Sequence, residues 1–167
     1  MYFWEWDYAR AYEWAKENKG EKDASVVGAA IELGDCLDLT TLGGTLAVKA
    51  AFNDFEASMR RSGESLPQNK DPKTHPHTSG DLSLRFLDRA VITHLQNNMK
   101  AAGIRDYDTL RALFPEGGEL YPGSGFLKKT HVQIAVRNID NIRGVFRVPV
   151  RELKEQKIPE RIYHGSV

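Results

Sequence analysis

The chain has 167 residues, of which 41% are apolar and 28% charged, enough for one domain with a hydrophobic core and too few for two comfortable ones. The chain has 23 lysine and arginine residues and 23 aspartate and glutamate residues, so its formal net charge is zero. This excludes only the strongly basic class of nucleic-acid-binding proteins, and a local basic patch is still compatible with it. Cys36 is the only cysteine, so an internal disulfide is excluded. The sequence contains no run of 18 apolar residues, so no membrane-spanning helix is predicted. Without a basic segment before the first aromatics there is no signal-peptide pattern, so we expect a cytoplasmic domain over residues 1–167 with no membrane contact.

The first part of the chain predicts strands alternating with helices. Aromatic residues favour a strand over Tyr2–Trp4, after which Asp7 caps a helix that Gly20 ends. The nearly continuous apolar run in "ASVVGAAIELG" predicts a central strand covered on both faces. A second helix is predicted from about Thr45 to Ser62, with a glycine directly after it.

The remainder predicts one more helix and then β-structure. Residues from about 63 to 80 contain three prolines and predict a mobile loop. Asp81 is expected to cap the third helix, whose apolar seam starts at Leu84 and which Gly103 closes. "YDTLRALF" is compatible with a strand or a short helix, and a strand is favoured. Strands are predicted in "THVQIAVRN" and "IRGVFRV", which a tight turn joins. The pattern predicts an α+β domain with two to three packed helices and a flexible tail over about 150–167.

Several polar residues are candidates for chemistry, each with an ordinary alternative. His75 and His77 could share a metal ion, but two imidazoles do not complete a zinc site, and a solvated loop is the favoured interpretation. Asp88 falls within the apolar seam of the third helix, where a carboxylate must be paired. A structural ion pair with Arg85, Arg89 or Arg111 is favoured over a site carboxylate.

The glycine-rich segment "PEGGELYPGSGFLKKT" is a candidate binding loop. Its glycines allow close approach of a ligand to the backbone, while Glu116, Glu119 and Tyr121 offer polar and aromatic contacts. An ordinary surface loop is the alternative, since neither a phosphate-binding loop nor a dinucleotide fingerprint is present.

The strand after this loop carries polar residues on one face. Period-two alternation places His131, Gln133, Ala135 and Arg137 together, opposite Val132 and its apolar neighbours. Two interpretations are equally supported by the pattern: the wall of a cleft next to the glycine loop, or an edge strand that shows its polar side to water.

Three segments carry motifs of a known kind. In "YFWEWDYARAYEWA" a tyrosine strand leads into a helix. In "VQIAVRNIDNI" a polar residue opens a strand, and "YHGS" lies near the end of the chain. The three segments together resemble the ADP-ribosyltransferase-like family, in the branch with a histidine, a tyrosine and a glutamate or glutamine on three neighbouring strands, where the last motif is Tyr-His-Gly-Thr/Ser.

The resemblance implies a split β-sheet core and an NAD site. Tyr2 would stack on nicotinamide, His164 would bind the NAD ribose together with Gly165 and Ser166, and Gln133 would contact the nicotinamide ribose. The glycine loop, with Glu119, Tyr121 and Phe126, would present the acceptor. NAD is then a substrate, no metal is required, and the acceptor is an unknown protein or nucleic acid.

Two departures from the family pattern leave alternatives open. The tyrosine motif comes first here and "YHGS" comes last, so either the chain is circularly permuted or an upstream segment is lost and the tetrapeptide is accidental. Gln133 brings no negative charge to an oxocarbenium ion, which lowers the expected rate, alters the acceptor, or transfers the charge to Glu119 or Glu116.

Three functions follow from the resemblance. The first is NAD-dependent ADP-ribosyl transfer, a glycosyltransferase reaction, by a toxin-like enzyme of bacterial or phage type. The second is a non-catalytic nucleotide- or protein-binding module on the same fold. The third is an RNA-directed enzyme of the same superfamily, which the neutral net charge counts against.

Overall fold

The computed structural model describes residues 1–19, 23–71, 82 and 84–149. Within these ranges the chain forms three α-helices, six strands and one 3-10 turn, and the α+β class predicted from the sequence is confirmed. In chain order they are β1 (Tyr2–Trp4), α1 (Tyr8–Lys19), β2 (Val27–Ile31), β3 (Cys36–Asp38), α2 (Leu42–Ser62), α3 (Phe86–Ala101), β4 (Thr109–Phe114), β5 (His131–Val136), the 3-10 turn (Ile139–Asn141) and β6 (Ile142–Arg147).

The larger sheet has four strands in the order β1-β5-β4-β3. Strand β5 is antiparallel to both of its neighbours, β1 and β4, whereas β3 runs parallel to β4. Because β5 is hydrogen-bonded on both sides, the interpretation of the "THVQIAVRN" segment as an edge strand is wrong. The polar residues of β5 therefore lie on an inner strand of the sheet, with neighbouring strands on both sides.

The second sheet corrects the prediction of a central strand in "ASVVGAAIELG". Among the described residues β2 pairs with β6 alone, and Val27 is 61% exposed. The glycine within the run has a local reason: the ring of Phe146 on β6 lies directly over Gly28, where an added Cβ would approach it to 2.3 Å. The 3-10 turn carries the chain from β5 in one sheet to β6 in the other, so the two strands do not pair with each other.

Helix α1 joins the second sheet to the first. Ala11 and Tyr12 pack against a small buried cluster of Val26 and Val148, which flank β2 and β6. The predicted cap is confirmed, since the carboxylate of Asp7 accepts a hydrogen bond from the backbone N–H of Arg10 at 2.8 Å. No helix in the described ranges is long and apolar enough to cross a bilayer.

Helices α2 and α3 pack against each other, with the ring of Phe55 5.2 Å from that of His94. Helix α2 begins at Leu42, three residues earlier than predicted, because the hydroxyl of Thr41 accepts from the backbone N–H of Gly44. At the other end Gly63 adopts the left-handed conformation expected after a helix, with φ 73°.

The start of α3 differs from the prediction. Asp81 lies outside the described residues, and the helix begins at Phe86, so Leu84 is not part of its seam but pairs with Lys70 in an isolated bridge. The favoured interpretation of Asp88 agrees with the structure. Its carboxylate lies 3.2 Å from the guanidinium of Arg85 and accepts from an amide N–H of Asn69.

Gly44 allows α2 to start close to β3. A Cβ at this position would lie 1.9 Å from the carbonyl oxygen of Asp38, whereas one at Gly43 would meet nothing within 4 Å. Replacing Gly44 by alanine is therefore expected to lower the free energy of unfolding by about 2 kcal/mol, since the backbone must move apart. The matched change at Gly43 should leave stability unchanged or raise it by about 0.5 kcal/mol. Urea unfolding of the two variants checks this, and equal midpoints would contradict it.

Asp108 connects the segments that enter β3 and leave β5. Its buried carboxylate accepts hydrogen bonds from the backbone N–H of Asp35, the amide of Asn138 and the guanidinium of Arg105, at 3.0, 3.2 and 2.9 Å. The bond from the Asp35 backbone contributes most to holding the pKa of Asp108 below its ordinary value, and the bond from Asn138 adds to it.

Acid is expected to remove this stabilisation. Because the pKa of Asp108 is lower in the folded chain, the carboxylate stabilises the fold fully above the ordinary aspartate pKa of about 4. That contribution is lost as the pH falls through the lower, folded value. Urea midpoints measured from about pH 6 to about pH 3 should fall less steeply in Asp108→Asn than in the parent chain. Asp140→Asn, at an exposed carboxylate, serves as the control and should keep the parental slope.

Candidate functional site

Strand register places the sequence-predicted residues of β1 and β5 on one face of the larger sheet. Tyr2 lies directly opposite Ala135, and Trp4 lies directly opposite Gln133. Residues paired across antiparallel strands project to the same side, so this face carries Tyr2, Trp4, Gln133 and His131 together. We refer to it as the Tyr2–Gln133 face.

Tyr2 and Gln133 are close enough to contact one small ligand. They stand two register positions apart on adjacent strands, a diagonal that separates Cα atoms by roughly 7–8 Å. Tyr2 is 71% exposed, and the residue directly across from it, Ala135, carries only a methyl group. A flat ring can therefore lie on the tyrosine without displacing a large neighbour.

Gln133 is held by a histidine that the sequence had only placed on the same strand face. The amide nitrogen of Gln133 lies 2.7 Å from Nε2 of His131, and Nδ1 of His131 lies 2.8 Å from the carbonyl oxygen of Lys129. The His131 ring is buried between Trp4 and Phe114, with centroid distances of 5.9 and 5.8 Å. The Gln133 side chain is thus anchored at its amide end.

A buried ion pair lies beside this histidine. Arg10 of α1, whose side chain is 7% exposed, binds the carboxylate of Glu116 at 2.5 Å, and Glu116 lies 3.6 Å from Nδ1 of His131. Arg10 also approaches Glu13 at 3.3 Å, yet its Nε is buried without a hydrogen-bond partner. The pair fixes α1 against the segment between β4 and β5.

The ammonium of Lys129 strengthens the same junction. It contacts Glu13 and Glu17 of α1 at 3.0 and 2.6 Å, and the hydrogen bond to Glu17 does most to raise the pKa of Lys129. The glycine-rich segment that leads into His131 is therefore tied to α1 near both of its ends, at Glu116 and at Lys129.

The glycine-rich segment forms an ordered turn with an apolar tip. The carboxylate of Glu119 accepts from the backbone N–H of Gly123, whose φ is 80°, and Ser124 is buried within the turn. Tyr121 and Phe126 project outward, 57% and 71% exposed. The two rings at the tip are therefore accessible, while the carboxylate of Glu119 is engaged within the loop.

No family model matches the chain, and neither the curated proteins nor the solved structures contain a match. The geometry of the Tyr2–Gln133 face must therefore carry any functional conclusion.

The remaining residues predicted for the site lie outside the described part of the chain. These are His164, Gly165 and Ser166, together with the candidate metal ligands His75 and His77. Within the described ranges, no group of three His, Cys, Asp or Glu residues could hold a metal ion.

A groove of about 560 Å³ meets the Tyr2–Gln133 face only at His131. Its wall includes Leu113 and Val132, which register places on the opposite side of the sheet. Its carboxylates are already used: Glu5 forms a two-oxygen pair with Arg111, which raises the pKa of that arginine, and Asp7 caps α1. We therefore assign the candidate site to the Tyr2–Gln133 face.

Sequence reasoning missed two contacts at this site, the one between His131 and Gln133 and the one between Arg10 and Glu116. His131 was placed on the correct side of its strand, but its bond to Gln133 depends on a side-chain geometry that alternation does not encode. Arg10 and Glu116 are 106 positions apart, and no local pattern pairs them. A buried charge in an apolar helix stripe would have been the only signal for Arg10.

Proposed function

We propose that the chain binds NAD on the Tyr2–Gln133 face and transfers its ADP-ribosyl group to an unknown protein or nucleic-acid acceptor. One observation carries the proposal: the tyrosine and the glutamine of the two resembling motifs stand on adjacent strands, on the same face and one diagonal apart. The α+β fold with two separate sheets also supports it.

The residues of this face suit the chemistry of glycosidic cleavage. Nicotinamide would stack on the exposed ring of Tyr2, which holds the leaving group in place. The amide oxygen of Gln133 would accept a hydrogen bond from a hydroxyl of the nicotinamide ribose. Cleavage builds positive charge on that ribose, so a fixed acceptor dipole beside it stabilises the transition state.

The charge around Gln133 favours a second candidate function, NAD binding without turnover. Gln133 is neutral, and the nearby carboxylate of Glu116 is already paired with Arg10. Glu119 is exposed and bound to its own loop. With no free carboxylate in these positions, the face offers binding contacts but little stabilisation of an oxocarbenium ion.

Nicotinamide release distinguishes the two functions. The purified chain is incubated with NAD and a cell extract as acceptor source, and nicotinamide is quantified by chromatography over several hours. We expect slow release that Gln133→Ala abolishes. Saturable NAD binding without any release supports the binding module instead, and the absence of both release and binding contradicts the proposal as a whole.

A further inference from the structure

The hydrogen bonds of His131 determine which end of the Gln133 amide is free. A carbonyl oxygen only accepts hydrogen bonds, so the contact to Lys129 requires the proton on Nδ1 of the imidazole. In the neutral ring Nε2 then carries a lone pair, and it accepts from the amide N–H of Gln133. The oxygen of the Gln133 amide is left without a partner among the described residues.

We propose that His131 is a positioning residue that fixes the amide orientation of Gln133 and so presents its oxygen as the acceptor for a ligand hydroxyl. This inference rests on the proposed function for the identity of the ligand, NAD. The tautomer of His131 and the orientation of the amide rest instead on the two hydrogen bonds, made by an imidazole that is neutral.

The surroundings of His131 suit a fixed acceptor. The ring is 3% exposed and lies nearly parallel to Phe114, with an angle of 15° between the planes, while Trp4 lies 5.9 Å away. Rotation of the imidazole would break the bond to Lys129 and disturb this aromatic packing. Such preorganisation lowers the cost of ordering the Gln133 side chain when a ligand binds.

The orientation matters because the two ends of an amide have opposite polarity. With the oxygen free, Gln133 accepts from a ribose hydroxyl and places negative partial charge beside the sugar. With the nitrogen free, it would donate and place positive partial charge there. A histidine that accepts from Gln133 therefore selects the orientation that suits a ribose.

The tautomer can be measured without any ligand. The chain is labelled with nitrogen-15 at its five histidines, and long-range proton–nitrogen correlation NMR reports which ring nitrogen carries the proton. The signals of His131 are assigned as those that disappear in His131→Phe. We expect a protonated Nδ1 and an unprotonated Nε2. A proton on Nε2 would overturn the inference, whatever the outcome with NAD.

A double-mutant cycle then tests the positioning role. His131→Phe keeps an aromatic ring between Trp4 and Phe114 but removes the acceptor, and we expect it to weaken NAD binding about tenfold. In the Gln133→Glu background both terminal atoms of the side chain are oxygens, so either can accept from the ligand. There His131→Phe should weaken NAD binding less than about twofold. Equal losses in both backgrounds would show a merely structural role and overturn the inference.

Failure of this inference is distinguishable from failure of the proposed function. If the unmodified chain does not bind NAD, the proposed function and the positioning of an NAD acceptor fail together, while the NMR result still decides the tautomer. If the chain binds NAD and His131→Phe binds it equally well, the positioning role alone is wrong. Melting temperatures of the three variants and the unmodified chain identify any loss of binding that comes from unfolding.

Discussion

Replacing Glu116 by alanine is expected to lower the free energy of unfolding by about 3–5 kcal/mol, because it leaves the buried guanidinium of Arg10 without its main partner. Arg10 is 7% exposed, so water cannot take the place of the carboxylate without movement of α1. The loss should also loosen the segment between β4 and β5 that positions His131, since Glu116 lies 3.6 Å from that ring.

The control for this prediction is the second carboxylate that approaches Arg10. Glu13 is 38% exposed and 3.3 Å from the guanidinium, so Glu13→Ala should cost less than about 1 kcal/mol. Removing both charges of the pair with Arg10→Met and Glu116→Leu should cost less than Glu116→Ala alone, because no unpaired ion remains. Urea unfolding measures all three. A loss for Glu116→Ala no larger than that for Glu13→Ala would show that the pair is not effectively buried.

Replacing Tyr2 by alanine is expected to weaken NAD binding by about 1–3 kcal/mol, the range for loss of an aromatic stacking partner. The ring is 71% exposed, so its removal should leave the melting temperature nearly unchanged. Tyr2→Phe keeps the stacking surface and should bind NAD within about threefold of the parent chain. Equilibrium titration with NAD measures each affinity.

Tyr8 provides the matched control for this second prediction. It is 39% exposed on the first turn of α1 and is not a residue of the Tyr2–Gln133 face. Tyr8→Ala should retain the parental NAD affinity. A Tyr2→Ala variant with parental affinity, or equal losses at Tyr2 and Tyr8, would contradict stacking on Tyr2.

Local sequence signals predicted the elements that depend on local chemistry. The aromatic strand at Tyr2–Trp4, the cap at Asp7 and the glycine after α2 were all confirmed. The two helix-end signals depend only on residues within one turn of each other. The strand predicted in "YDTLRALF" was also confirmed as β4.

Features that depend on distant partners were not predictable. An apolar run such as that around β2 indicates burial but does not name its neighbour, and a strand of small residues beside Phe146 gives the same pattern as a central strand. The three tryptophans show the same limit. Trp4 and Trp14 contact each other at 5.6 Å, whereas Trp6 is 96% exposed with a left-handed φ of 55°.

The candidate site was predictable in part. Alternation placed His131 and Gln133 on one face, and the register of β1 against β5 then brought Tyr2 onto the same face. The sequence could not supply that register, because it depends on which strands become neighbours. Nor could it show that Glu116 is paired with Arg10, which is what removes a free carboxylate from the site.

Isothermal titration of the 167-residue chain with NAD measures whether one NAD binds on the Tyr2–Gln133 face. We expect saturable binding at one NAD per chain with a dissociation constant below about 1 mM, equivalent to about 4 kcal/mol or more. Gln133→Ala and Tyr2→Ala should each weaken it. The absence of saturable binding at millimolar NAD, in a chain that melts cooperatively, would contradict an NAD site on this face.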